Sequence, residues 1–256
     1  TVLSILYGLK LFTLNKMLIV IGITSLLCPI LFTGRSFAFR FKFKLVKSAA
    51  LKNWYTAKWS IGISLSDAIK NQLSIWILNS FLSTSVVGIY NVNNSFALLP
   101  SPAFNGLSQF LLPQFSQLVS QNRFKTIKKR LFFSVSLILL CNIFWMVALI
   151  FFGNFLIVWL YGAEYKTSIV ILLLCCVRGV FTSLSSVSSS ILQAIEKPQQ
   201  IVKSLLFSIG FMLVFGILLT WRFGLIGMSV GMVLMYAINT ITQSTFIYKW
   251  FKRRET

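Results

Sequence analysis

The sequence contains no histidine, and only four of its 256 residues are acidic. The first absence removes the usual general base and the commonest metal ligand. The second leaves Asp67 as the only acid deep inside an apolar stretch. Cysteine offers little more. Cys28, Cys141, Cys175 and Cys176 all fall within apolar runs, where a reduced structural thiol is the default, and the adjacent Cys175 and Cys176 lack partners at zinc-site spacing. Alternation at period two is not apparent, which argues against a membrane barrel. No catalytic constellation, metal site or cofactor site is therefore expected, and the chain reads as something other than an enzyme.

What is present is apolar. The chain is 57% hydrophobic and only 11% charged, with a mean hydropathy of +0.83. A soluble domain of this size needs more polar surface. Several apolar runs have roughly the twenty residues a helix needs to cross about 30 Å of hydrocarbon. The net charge of +20, from 24 Lys and Arg, would suggest nucleic acid in a soluble protein, but no basic fold motif accompanies it. Its distribution suggests topology instead. Arg35, Arg40, Lys42, Lys44, Lys47, Lys52 and Lys58 fill one connection, and Arg123, Lys125, Lys128, Lys129 and Arg130 fill another. Lys249, Lys252, Arg253 and Arg254 follow the last apolar run. Basic connections face the cytoplasm, and these alternate with connections poor in basic residues, at Thr84, Glu164 and Arg222.

The expected organisation is all-α, a polytopic transmembrane helix bundle. The chain opens without Met in apolar sequence, which leads to the expectation that the N-terminal part of a longer protein is missing. Residues 1–34 read as the end of one span and one full span, 35–57 as a basic cytoplasmic connection, and 251–256 as a basic cytoplasmic tail. Between them, 58–250 reads as six helices, at about 58–82, 86–119, 131–152, 167–193, 203–220 and 225–249. Within the connection, FRFKFK alternates Phe with basic residues and suits an anionic headgroup region as a strand, an extended linker or an interfacial helix. A solvated loop is the slightly favoured reading.

Three polar stripes interrupt the apolar pattern. In the stretch from Lys58 to Leu82, Ser60, Ser64, Asp67, Asn71 and Ser74 fall on one helical face, with Lys70 beside Asp67. Asn91, Asn94, Ser101, Asn105 and Ser108 form a second face, within a run that Pro100, Pro102 and Pro113 must break or bend. Arg178, Thr182, Ser185, Ser189 and Gln193 form a third. Such faces either line a wet cavity or carry interhelical hydrogen bonds and close packing, and spacing alone does not decide between them. Arg178 reaches a depth similar to that of Asp67 from the opposite side, so the two are candidates to pair. In the last hairpin, Gly210 with Gly216 and Gly227 with Gly231 read as points where helices approach closely.

Three stretches carry a family resemblance. VVGIYNVNNSFALLPSPAFNGLSQFLLPQFSQL resembles a stretch of bacterial polysaccharide flippases in which G-x-Y begins a long polar helix ending near a proline. LYGAEYKTSIVILLL resembles their small outer-surface motif, and ILQAIEKPQQ the inner turn that comes after it. The chain thus resembles Wzx-like transporters of the multidrug, oligosaccharidyl-lipid and polysaccharide exporter superfamily. That resemblance implies two lobes of six helices around a cavity, with this chain holding the C-terminal lobe plus the last one or two helices of the first.

The resemblance further implies flipping of an undecaprenyl-pyrophosphate-linked oligosaccharide, an O-antigen or other surface-polysaccharide unit, across a bacterial inner membrane by alternating access. The implied partners are that substrate, membrane lipids, and a polymerase with chain-length machinery; nucleic acid is not among them. The expected cavity residues are Asp67, Lys70, Asn71, Asn91, Asn94, Asn105, Arg178, Thr182 and Ser185. Arg178 is the expected main contact for the pyrophosphate, Lys70 is second, and Asp67 tunes both or couples transport to protons or sodium. The competing readings are a cation-coupled multidrug exporter, which would use more acidic groups, and a truncated, non-transporting membrane protein.

Overall fold

The computed structural model describes residues 43–165 and 169–255. The expected spans in 1–34, the first part of the basic connection at 35–42, and Lys166 lie outside the described residues. The chain divides at Asn53 and Trp54 into two units. Residues 43–53 of the first are helical, and the second holds the remaining helices.

Every element is helical, and no strand occurs among the described residues. In chain order they are α1 (Phe43–Phe81), α2 (Thr84–Ala97), α3 (Ser101–Ser120), α4 (Phe124–Tyr161), a 3₁₀ turn (Ala163–Tyr165) and α5 (Ile169–Ala194). Then come α6 (Pro198–Phe211), a π-helical turn (Met212–Gly216) and α7 (Ile217–Glu255). Among the described residues three stretches, Phe124–Tyr161, Ile169–Ala194 and Pro198–Arg254, are long and apolar enough to cross a membrane. The protein is a multi-pass membrane helix bundle. On α4, Phe132, Phe144 and Phe151 are each about three-quarters exposed, a surface suited to lipid rather than water.

Several boundaries differ from the pattern reading, each for a local reason. The solvated-loop reading of the basic connection gives way to helix from Phe43 onward, because no Gly or Pro interrupts the sequence before Gly62 and Lys, Leu and Ala are good helix formers. The single span expected at 86–119 is two helices. Pro100 cannot donate to the ladder and Pro102 fits the first turn of a new helix, so the chain turns at Leu98–Pro100, with Ser101 N donating to Leu98 O at 2.9 Å. Pro113 is accommodated inside α3. The span expected at 131–152 extends to Phe124–Tyr161, taking in both the basic head and the aromatic tail.

The last hairpin reverses at Gly224, whose φ of 57° and ψ of −133° suit glycine alone. Just beyond the turn, a Cβ on Gly227 would collide with the carbonyl oxygen of Leu219, whereas one on Gly210 would meet nothing within 4 Å. Gly227→Ala is therefore expected to destabilise the protein by about 3 kcal/mol, the upper end of ordinary overpacking. Gly210→Ala should leave it unchanged. Thermal unfolding of the two purified variants in one detergent checks this, and equal melting temperatures would refute the close approach. Gly231 faces Gly216, with 3.2 Å between its would-be Cβ and the Gly216 Cα, so the expected close packing involves that pair and leaves Gly210 out.

Two apolar cores fill the bundle. One gathers Leu73, Tyr90, Phe96, Leu172, Cys175, Met228, Met232 and Met235. The other gathers Phe104, Phe115, Ile138, Ile191, Ile201, Ile247 and Phe251. Between the two cores the buried side chains are polar, Arg178, Ser183 and Ser185 on α5 and Asn239, Thr240 and Gln243 on α7, and the candidate site lies in that layer.

Candidate functional site

Each contributing helix brings polar side chains to this layer at helical spacing. From α1 come Asp67, Lys70 and Asn71; from α3, Asn105, Ser108 and Gln109; from α5, Thr182, Ser185, Ser186, Ser189, Ser190 and Gln193. Tyr236 and Gln243 come from α7, and Ile63, Ile201 and Leu205 complete the wall. Together they enclose a cavity of about 400 Å³. Hydroxyls and amides dominate the lining, the donors and acceptors that match a sugar's hydroxyls.

The hydroxyls on α5 serve two purposes. Thr182, Ser186 and Ser190 each donate to the carbonyl four residues earlier, which satisfies them inside an apolar bundle. Ser186 also reaches Asn105 Oδ1 at 2.9 Å, and Ser190 reaches the Ser108 carbonyl at 3.0 Å, joining α5 to α3. On the other side, Asn239 Nδ2 donates to Ser185 Oγ at 2.7 Å and Ser189 Oγ to Gln243 Oε1 at 3.2 Å, joining α5 to α7. The stripe thus binds helices together and faces the cavity as well. The two readings left open by spacing both describe it.

The charged groups are arranged unequally. Lys70 Nζ lies 2.6 Å from Asp67 Oδ1, with the lysine side chain 9% exposed and the aspartate 43%. The ammonium also sits 4.7 Å from the centre of the Tyr236 ring, a favourable cation–π distance. The carboxylate is therefore open to the cavity while the ammonium is held against the wall. Tyr236 is shared, since the Arg178 guanidinium lies 4.8 Å from the same ring centre.

Arg178 is buried; both of its terminal nitrogens are engaged, while Nε has no hydrogen-bond partner among the described residues. Nη1 donates to Tyr90 Oη at 3.2 Å and to Asn94 Oδ1, and Nη2 to Tyr236 Oη at 3.2 Å. Tyr236 Oη in turn donates to Asn71 Oδ1 at 3.0 Å. A continuous polar chain runs from Asn94 through Arg178 and Tyr236 to Asn71 at the cavity wall. The expected pairing of Arg178 with Asp67 is not what forms: the acid takes the lysine one turn away, and the arginine takes three neutral oxygens.

Of the nine residues expected from the sequence, Asp67, Lys70, Asn71, Asn105, Thr182 and Ser185 line the cavity. Arg178 and Asn94 belong to the buried network behind Tyr236, outside that lining. Asn91 is also outside it; its carbonyl accepts a 2.8 Å bond from Ser95 Oγ within α2. The sequence reading missed Tyr236, Asn239, Thr240 and Gln243. A signal was there, because these four recur at i, i+3, i+4 and i+7 on α7, within a run otherwise rich in Met and Leu.

Comparison with known proteins accords with this architecture. The family described as polysaccharide biosynthesis protein matches residues 16–170. A curated relative, the probable low-salt glycan biosynthesis flippase Agl15 of Haloferax volcanii, is 21% identical over 191 residues, which is 75% of this chain and 40% of that protein. The chain thus spans about 40% of the length of that relative. No solved structure matches significantly.

Proposed function

We propose, since the chain belongs to the polysaccharide biosynthesis protein family, that it forms part of a membrane flippase for a lipid-linked oligosaccharide. The observation that carries this reading is the polar cavity of about 400 Å³ inside an otherwise apolar helix bundle. A glycan headgroup cannot cross hydrocarbon with its hydroxyls unsatisfied. A cavity rich in Ser, Asn and Gln replaces the lost water bonds, while the lipid tail stays in the bilayer. Movement of the cavity between the two faces, with a second lobe closing it, supplies alternating access.

The cargo we favour carries its glycan on an undecaprenyl pyrophosphate, as in O-antigen or other surface-polysaccharide assembly. Lys70 is the cation on the cavity wall that meets the phosphates. Arg178, set behind Tyr236, positions that wall. A cation exporter needs an acidic cavity, and here the Asp67 carboxylate already has Lys70 as its counterion. No covalent chemistry is asked of the protein.

Proteoliposomes holding the full-length protein and a lipid-linked oligosaccharide in both leaflets test the reading. An impermeant glycosidase added outside should reach nearly all of the oligosaccharide. If it reached only the outer-leaflet half, as in protein-free vesicles, flipping would be refuted.

The proposed setting is a bacterial inner membrane, with the C-terminus cytoplasmic, from the positive-inside rule. A single cysteine at position 164 should react in intact cells with an impermeant maleimide above the background of the native thiols, and one at 125 should not. The opposite pattern would invert the topology.

A further inference from the structure

A second cavity, of about 430 Å³, lies between α3 and α4, on the side of α3 away from the polar cavity. We propose that it is a binding site for an anionic phospholipid, with the headgroup phosphate on Lys129 and Arg130 and an acyl chain in the groove below. This site is independent of the flippase reading, because it uses the opposite side of α3: Asn105, Ser108 and Gln109 face the polar cavity, whereas Leu107, Phe110 and Gln114 face the groove.

The groove has a charged mouth and an apolar floor. The short turn at Gln121–Arg123 makes α3 and α4 antiparallel neighbours, and Arg130 Nη1 donates to Gln114 Oε1 across the mouth. Seven residues further in along each helix, about 10 Å at 1.5 Å per residue, the walls are Leu107 and Leu137. Between mouth and floor stand Phe110, 64% exposed, and Phe133, 69% exposed. A molecule with an anionic head and a hydrocarbon body satisfies both ends. Free phosphate would leave the aromatic walls uncovered.

Charge argues for the same occupant. Arg123, Lys125, Lys128, Lys129 and Arg130 crowd the start of α4, and no acidic residue occurs between Asp67 and Glu164. The N-terminus of a helix is already its positive pole, and no side-chain cap relieves it here. Lys128 lies over the Phe251 ring; the charges of Arg123, Lys125, Lys129 and Arg130 repel one another at that pole, and lipid phosphates at the membrane surface offer them a counter-charge. The fork of Arg130, steadied by Gln114, can take two phosphate oxygens at once. A polyprenyl-linked cargo in this groove would have its sugars at the mouth, away from the polar cavity that suits them.

The test places the full-length protein in nanodiscs of equal phosphatidylglycerol and phosphatidylcholine, then extracts it gently and counts the retained lipids by native mass spectrometry. The wild type should retain phosphatidylglycerol preferentially. Lys129→Gln or Arg130→Gln alone should reduce that preference roughly five-fold, and the double variant more. Leu137→Trp, which fills the floor and keeps every charge, should also reduce it. Arg253→Gln with Arg254→Gln removes the same charge elsewhere and should leave it intact. The proposal is overturned if the double variant keeps the wild-type preference, if the tail variant loses as much, or if the wild type retains the two lipids equally. Displacement of phosphatidylglycerol by a lower concentration of polyprenyl phosphate would also overturn it, by assigning the groove to the cargo.

Discussion

Arg178→Ala is expected to lower the melting temperature of the protein sharply and to abolish flipping with it. Removing the guanidinium strips donors from Tyr90, Asn94 and Tyr236, and both tyrosines are almost wholly buried. Each buried polar group left without its partner costs about 1–3 kcal/mol; Tyr236 keeps its bond to Asn71, so loss of the donors to Tyr90 and Asn94 should cost about 2–6 kcal/mol. Arg178→Lys keeps the charge, but a single ammonium lacks the planar fork that serves α2 and α7 together. It should fall between the wild type and the alanine variant in both stability and rate. Thermal unfolding in detergent and the vesicle assay, measured on the same preparations, separate two roles. If Arg178→Ala kept the wild-type melting temperature and lost only flipping, the arginine would be a direct contact for the cargo rather than a support for Tyr236.

That distinction marks where the sequence stopped being readable. Arg178 was legible as important because an arginine deep in an apolar run is costly and heads a polar stripe. Depth along a helix comes from counting residues, and Arg178 and Lys70, the partner of Asp67, do meet the same Tyr236 ring, at 4.8 and 4.7 Å from its centre. The direction in which each side chain points around the bundle does not come from counting. Asp67 had Lys70 one turn away, and that local partner prevailed. The stripe at Thr182, Ser185, Ser189 and Gln193 was legible because period 3.6 survives in any helix, whatever packs on it. The stripe at Tyr236, Asn239, Thr240 and Gln243 has the same period, but it was masked by neighbours such as Met232 and Met235 that gave the run an apolar average. The turn at Leu98–Pro100 was visible as prolines that either break or bend the run, and spacing left the two open, since in a membrane a proline can also sit within a helix, as Pro113 does here.

Lys70→Met and Asp67→Asn are expected to act in opposite directions on cargo affinity. Lys70 is the cation of the cavity lining, and its ammonium is fixed between the Asp67 carboxylate and the Tyr236 ring. A phosphate entering the cavity competes with Asp67 for that ammonium. The acid, being the more exposed partner, is the one free to swing aside. A charged hydrogen bond is worth about 1.5–3 kcal/mol. Loss of the ammonium in Lys70→Met should therefore weaken binding of a polyprenyl-pyrophosphate cargo by roughly 10- to 100-fold. The fold should suffer little, because the aspartate left behind faces the wet cavity. Asp67→Asn removes the competitor and should tighten binding of the same cargo while slowing turnover, since release then lacks the carboxylate that reclaims the lysine. The double variant restores a neutral pair without restoring the cation, so it should bind as weakly as Lys70→Met. Equilibrium binding of a fluorescent lipid-linked oligosaccharide to the purified variants, read beside their vesicle rates, measures both effects. Weaker binding in Asp67→Asn would mean that the carboxylate itself holds the cargo, through sugar hydroxyls, and that Lys70 serves only to keep it in place.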